Sequence, residues 1–255
     1  MAIKAGFDLG STAVKVILTE DEKILWSGHS PTAPGQEALA KSLMAKGLSE
    51  LGLQSDSVSQ VAATGYGKGL VGLAERRIDE IQANALGLFK LSGGGARHII
   101  NIGGQDIKLI HLDERGRVSD FKMNDKCAAG TGRFFELVAR LLDTPIAEFA
   151  RLSQEASQEI TLNSTCVVFA ESEMVSLMAK GAGNGDIIKA LHASVARRVA
   201  AMLARADLSF GVWLDGGPAL NQGLVRALED ELLTEVFVLD NPQFTVAYGA
   251  ALSLN

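Results

Sequence analysis

Two cysteines, a few carboxylates and four glycine turns carry whatever chemistry this chain performs. Cys127 and Cys166 are the only thiols in 255 residues. Cys127 lies in the stretch 123–135, Met-Asn-Asp-Lys-Cys-Ala-Ala-Gly-Thr-Gly-Arg-Phe-Phe, after a strand-like segment and just before a helical pattern. Cys166, in Ser164-Thr165-Cys166-Val167-Val168-Phe169, likewise precedes a helix-like run at 170–180, with Ser164 or Thr165 as its cap. A thiol at a helix N-terminus faces the positive end of the helix dipole, which favours a thiolate. Gly130 and Gly132 leave room beside Cys127 for a bulky group to touch the backbone. Against this stands the plain alternative that two cysteines are simply buried thiols. A structural disulfide is less expected in a reducing compartment.

The second candidate chemistry is phosphate binding. Gly10, Gly65-Tyr66-Gly67, Gly103-Gly104 and Gly216-Gly217 each follow an apolar strand-like segment. Turns at strand ends offer backbone N–H groups to anionic oxygens. Asp8 suits Mg²⁺ held through waters, because Mg²⁺ keeps much of its hydration shell and prefers carboxylates. Ser11 and Thr12 are placed to bond phosphate oxygens, and Gln105 or Asp106 to orient a water for attack on a γ-phosphate. Lys15 and Lys108 are candidate phosphate contacts or solvated strand residues. There is no P-loop and no GxGxxG run opening a helix.

The elements that position these residues follow from apolar spacing. Strands are expected at 3–7, 14–19, 24–27 and 58–64, and amphipathic helices at 37–51 and 78–91. The pattern then restarts, with strands at 99–102, 107–112 and 118–123. At a constant offset of 93 residues Asp8 meets Asn101, Gly10 meets Gly103 and Lys15 meets Lys108. Leu9, Val14, Val16 and Ile17 meet Ile102, Ile107, Leu109 and Ile110 at that same offset. A shared apolar phase together with a shared glycine and lysine reads as a duplication, giving two similar α/β halves with a nucleotide cleft between them. Further on come a short helical piece at 146–156, a loop at 181–185, and a long helix capped by Asp186 and running to about 206. A strand at 212–214, the glycine turn 215–221, a helix at 224–233, a strand at 236–239 and a terminal helix at 244–252 complete the chain. The expected lobes are 1–92, to which the helix of 242–255 returns, and 93–241, which carries both cysteines.

Composition excludes several classes. The chain is 47% hydrophobic with a net charge of −6 and no basic cluster, which argues against nucleic acid as a partner. No run approaches the ~18 uninterrupted apolar residues of a membrane span. The N-terminus enters a strand at once without a signal-peptide pattern, so the expected compartment is the cytoplasm. His29, His98, His111 and His192 are scattered, without metal-ligand spacing, and receive no role.

The motifs Asp8-Leu9-Gly10-Ser11-Thr12, Gly103-Gly104-Gln105-Asp106 and Gly216-Gly217 resemble the phosphate-1, phosphate-2 and adenosine motifs of the actin, hexokinase and Hsp70 superfamily. With Ala63-Thr64-Gly65-Tyr66-Gly67 and the two cysteine segments, nearly the whole chain resembles the activator ATPases of 2-hydroxyacyl-CoA dehydratases and the ATPase subunits of benzoyl-CoA reductase, the BadF/BadG/BcrA/BcrD type. The resemblance implies a duplicated actin-like, ribonuclease H-like ATPase fold. It implies binding of ATP or ADP with Mg²⁺ by Asp8, Gly10, Ser11, Thr12, Lys15, Gly103, Gly104, Gln105, Gly216, Gly217 and Asn221. It also implies a homodimer with one 4Fe–4S cluster on the twofold axis. Such a cluster normally takes four thiolates; this chain has two, so two chains would each give Cys127 and Cys166. A ferredoxin or flavodoxin would load the cluster, and ATP hydrolysis would drive an electron to a dehydratase or reductase partner. Two departures stand out: Asn101 where relatives usually carry Asp, and Pro218, which removes an N–H from the adenosine turn. Two other classes remain open beside this one: a small-molecule kinase of the same superfamily, and a nucleotide-gated sensor. Glu171 and Glu173 are docking residues or a solvated helix face.

Overall fold

The computed structural model describes residues 2–124, 127–163, 166–203 and 208–255. The chain opens with β1 (Ile3–Leu9), β2 (Ala13–Glu20) and β3 (Lys23–Pro31), then α1 (Gln36–Glu50), β4 (Val58–Thr64), a two-residue β5 (Arg76–Arg77) and α2 (Glu80–Leu91). A second series follows: β6 (His98–Ile102), β7 (Ile107–Leu112), β8 (Val118–Asn124), α3 (Gly132–Leu141), a short α4 (Phe149–Leu152) flanked by 3₁₀ turns, α5 (Val167–Ala179) and α6 (Asn184–Leu203). Then come β9 (Val212–Asp215), α7 (Gln222–Leu232), β10 (Val236–Val238) and α8 (Thr245–Leu252).

The strands form two five-stranded sheets, β3-β2-β1-β4-β5 and β10-β9-β6-β7-β8. Read from its other edge the second order repeats the first, so the duplication seen over three strands extends to all five. In the first sheet β1 runs antiparallel to β2 and parallel to β4; in the second β6 runs parallel to β9. β1 is central, and Ile3, Ala5, Phe7 and Leu9 are all buried, as a strand covered on its face requires. The β2–β3 hairpin closes on Asp21 and Glu22, both at positive φ (44° and 68°), the two-residue turn whose twist matches that of paired strands.

By packing, the chain divides into Met1–Ala96, His111–Asp120 and Gln243–Asn255 as one unit, and Arg97–Ile110 and Phe121–Pro242 as the other. In the first unit α1 lays Ala40, Leu43 and Leu48 on the β1–β2 core, and α8 packs on β1 and α2. In the second unit Phe134, Phe135 and Val138 of α3 and Ile188, Leu191, Val195 and Val199 of α6 share one core. The 3.6-residue spacing of these α6 residues places them along one buried stripe.

Several elements differ from the sequence expectation. β5 is two exposed residues, too short to show any alternation. α5 begins at Val167, three residues before the expected start, with Cys166 itself as N-cap; the expected caps Ser164 and Thr165 lie outside the described residues, as do Asp125 and Lys126. α6 starts at Asn184, so Asp186 sits in its first turn and is not the N-cap. Its buried carboxylate accepts from Gly183 N at 3.0 Å, Ser157 N at 2.7 Å and Gln158 N at 2.9 Å. An acidic side chain reaching back from the first turn to the N–H just outside the helix is the second half of a capping box. The Gln158 N–H, with those of Gly183 and Ser157, holds the Asp186 carboxyl below the usual range.

Candidate functional site

In the first unit, the turn between β1 and β2 closes with Gly10 N donating to Ala13 O at 3.1 Å. The Gly10 carbonyl accepts from Thr32 Oγ1 at 2.8 Å and Gln36 Nε2 at 3.3 Å, which ties the turn to the start of α1. Asp8 is next to last in β1, with 2% of its surface exposed. Cross-strand register puts it opposite Lys15, whose Nζ donates to Asp8 Oδ2 at 2.7 Å, and beside Thr64 on β4. The other oxygen, Asp8 Oδ1, is buried with no hydrogen-bond partner among the described residues, as are Thr12 Oγ1 and Thr64 Oγ1. An orphaned buried oxygen is costly, about 1–3 kcal/mol each, and a native fold keeps such atoms where something else completes them. Oxygen-rich, partly anionic and adjoining a glycine turn, this set fits a hydrated Mg²⁺ beside phosphate.

In the second unit, Gly103 N donates to Asp106 O at 2.9 Å, the same closure 93 residues on. Asn101 takes the place of Asp8, and its Nδ2 donates to Asp215 Oδ1 at 2.8 Å, both groups being buried. Lys108 bonds Asp106 at 2.6 Å, again buried on both sides. Gln105 stands exposed at the tip of that turn. Gly216 follows β9 at φ 92°, and an added Cβ would lie 2.1 Å from Ile102 O, so the close passage of the two backbones requires glycine. Pro218 heads a 3₁₀ turn, where the first N–H groups have no partner within the helix, so its missing N–H leaves no gap in the fold.

Asn221, on the sequence a nucleotide-binding candidate, engages the fold with both ends of its amide. Its Oδ1 accepts from Gly223 N at 2.9 Å and Leu224 N at 3.4 Å, capping α7. Its Nδ2 meets His192 Nε2 at 2.8 Å. Spacing alone gave His192 no role, because its partner lies 29 residues away and only the packing of α6 on α7 brings the two together.

The thiols belong to the second unit. Cys127 is half-buried, and Arg198 of α6 brings Nη1 to 3.8 Å from its Sγ. Between Cys127 and α3, Gly130 at φ 94° lets the Arg198 stem pass; a Cβ there would be 2.9 Å from Arg198 Cδ. The first backbone donors of α3 do not point into empty space. Gly132 N donates to Gly103 O at 2.9 Å and Arg133 N to Gly104 O at 3.0 Å. The backbone leaving the Cys127 segment is therefore bonded to the glycine turn at 103–104. Cys166 is exposed at the head of α5, followed by Val168 and Phe169, 68% and 69% exposed. Glu173 is not simply a solvated helix residue: it accepts from Asn163 N at 3.0 Å and steadies the approach to Cys166, whereas Glu171 is exposed. Among the described residues no three His, Cys, Asp or Glu side chains gather as a metal site, and no helix is long and apolar enough to cross a membrane.

Residues 5–253 match the family model described as the BadF/BadG/BcrA/BcrD ATPase family. The chain is 42% identical over 253 residues to the activator of lactoyl-CoA dehydratase of Anaerotignum propionicum, covering 97% of this chain and 95% of that protein. Among solved structures it is similar to the activator of the 2-hydroxyisocaproyl-CoA dehydratase from Clostridium difficile with bound ADPNP, with a TM-score of 0.93, 38% identity, and 98% and 93% of the two chains covered. It is equally similar to the (R)-2-hydroxyglutaryl-CoA dehydratase component A of Acidaminococcus fermentans, with a TM-score of 0.93, 34% identity, and 99% and 97% covered.

Proposed function

The chain belongs to the BadF/BadG/BcrA/BcrD ATPase family, and from that premise we propose that it is an ATP-hydrolysing, iron–sulfur electron-transfer activator of a 2-hydroxyacyl-CoA dehydratase or a benzoyl-CoA reductase-like partner. The observation that carries this reading is the bonding of Gly132 and Arg133, at the head of α3, to the carbonyls of Gly103 and Gly104. It ties the backbone beside a thiol to a turn of the phosphate-binding type.

Asp8 would hold a hydrated Mg²⁺ through Oδ1, while Lys15 keeps Oδ2 in place. That ion, when bound, would supply neutralisation of phosphate charge. Ser11, Thr12, Gly10 and Lys15 in the first unit, and Gly103, Gly104, Gly216 and Gly217 in the second, are the residues we assign to ATP or ADP. Gln105, exposed beside Gly104, is assigned to orienting the attacking water. Asp106 acts one step back, by fixing Lys108. Asn221 shapes its turn, capping α7 through Oδ1 and meeting His192 through Nδ2.

Cys127 and Cys166, with the same two residues of a second copy, supply the four thiolates that a 4Fe–4S cluster requires. The cluster, when bound, supplies a one-electron carrier whose potential follows its exposure and hydrogen bonding. Val168 and Phe169, apolar and exposed directly after Cys166, support a homodimer, because a second copy is what such a patch beside a shared ligand set fits. The Arg198 guanidinium keeps Cys127 in place, and Glu173 does the same for the run-up to Cys166. The electron donor is a ferredoxin or flavodoxin, and the compartment is the cytoplasm. Iron analysis of an anaerobic preparation tests the reading. Roughly four irons per two chains are expected; no iron, with both thiols intact, overturns it.

A further inference from the structure

We propose that His192 is a positioning residue for the nucleotide turn at 216–221, acting through Asn221; this deepens the nucleotide reading above and rests on it. Asn221 Oδ1 is fixed by the two N–H groups at the start of α7. The amide nitrogen is thereby turned to His192 Nε2, 2.8 Å away. An amide nitrogen only donates, so Nε2 accepts, and the imidazole is neutral with its proton on Nδ1. The surroundings enforce that state. His192 is 2% exposed and stacks on Phe135 with ring centroids 5.9 Å apart. Gly223 permits the approach: a Cβ there would lie 2.5 Å from His192 Cε1. Asn221 N in turn donates to Pro218 O at 3.0 Å, closing the 3₁₀ turn that follows Gly216. His192 thus holds the nitrogen end of the side chain that ends the turn, the oxygen end being held by α7, while being too deeply buried to touch a ligand itself.

A turn of the adenosine type predicts a selective effect, which a general loosening of the core would not give. Binding of ADPNP and of inorganic tripolyphosphate is measured by calorimetry on the anaerobically prepared chain. His192→Phe keeps the ring stacking and deletes the acceptor; it is expected to bind ADPNP about tenfold more weakly, the scale of one lost buried hydrogen bond. Its tripolyphosphate affinity stays unchanged. His192→Gln, which offers an acceptor oxygen, restores most of the ADPNP affinity. Asn221→Ser keeps a capping oxygen for α7 without reaching His192, shows the selective loss of His192→Phe, and serves if that variant does not fold. Unchanged ADPNP affinity in His192→Phe and Asn221→Ser overturns the proposal, and so does an equal loss for both probes. Failure of the unaltered chain to bind ADPNP overturns the nucleotide reading itself, which the variants' selectivity cannot do.

Discussion

The first glycine turns of the two units share a backbone and differ in charge. Gly10 to Ala13 and Gly103 to Asp106 close alike. Gly65 (φ 84°) and Gly216 (φ 92°) each follow the parallel neighbour strand, and their missing Cβ atoms would press on Leu9 and Ile102, which are themselves equivalent. Yet Asp8 becomes Asn101. Lys15, with its side chain 20% exposed, pairs with the strand-end carboxylate, while Lys108, 3% exposed, pairs with Asp106 inside the turn. The first copy is left with a carboxylate oxygen unclaimed among the described residues. In the second, Asp215 and Asp106 are each engaged by an amide or an ammonium. Equivalent backbones therefore close alike, but among the described residues only the first turn keeps a buried carboxylate oxygen without a hydrogen-bond partner.

The shared backbone breaks hardest at its glycines. Gly216→Ala combines a positive φ with a Cβ 2.1 Å from a carbonyl oxygen and is expected to lose about 4 kcal/mol of stability. Gly65→Ala, whose nearest contacts are 2.7 Å away, is expected to lose about 3 kcal/mol. Urea unfolding measures both; a neutral Gly216→Ala would dissolve the structural equivalence of the two turns.

The second copy also has a pH signature. Burial pushes His192 down to about 4 from its ordinary 6.5. Between those values the unfolded chain binds the proton and the folded chain does not. The stabilising contribution is complete above pH 6.5, declines as pH falls towards 4, and is not lost further below that. The whole span is about 3 kcal/mol. His192→Phe is expected to flatten this part of the stability curve; unfolding midpoints that fall in parallel for both chains between pH 7 and 4.5 would show that His192 is not its source.

Much of this was readable from the chain, and what was not has physical reasons. The offset of 93 shows over three strands because apolar phase, glycine and lysine coincide there. It fades afterwards because α3 to α6 stand between β8 and β9 where α1 alone stands between β3 and β4 among the described α-helices, so Gly65 and Gly216 do not fall at that offset. β5 is too short for periodicity. The thiols were legible from their place ahead of helical patterns. Their neighbours were not: Arg198 lies 71 residues from Cys127, and the bonds from α3 to Gly103 and Gly104 are backbone bonds that leave no mark in side-chain pattern.

Charge exchange sharpens the comparison further. Asp8→Asn is expected to lower ATP hydrolysis about 100-fold, roughly 2.7 kcal/mol, by removing the carboxylate oxygen proposed to hold Mg²⁺. Asn101→Asp gives the second copy the first copy's carboxylate, but sets it against Asp215, to which Asn101 now donates. It is expected to cost about 2 kcal/mol of stability at neutral pH and to gain no metal function. A stable Asn101→Asp chain that bound additional Mg²⁺ in calorimetry would mean the two turns differ by this one residue alone.

The smallest expected effect compares the thiols within one unit. Cys166 is exposed at the head of its helix, whereas Cys127 is half-buried under Arg198. In the reduced, metal-free chain, mass spectrometry of iodoacetamide labelling should therefore find Cys166 modified first. Arg198→Ala removes both the guanidinium near Sγ and the stem that fills the space beside Gly130. The Cys127 labelling rate should rise about threefold, a change well under 1 kcal/mol in the barrier, with Cys166 unaffected. Arg198→Lys keeps most of the stem and a positive charge and should fall between the two. Equal acceleration of both thiols would indicate that Arg198 supports the fold generally, and an unchanged Cys127 rate would mean that Arg198 does not shield it.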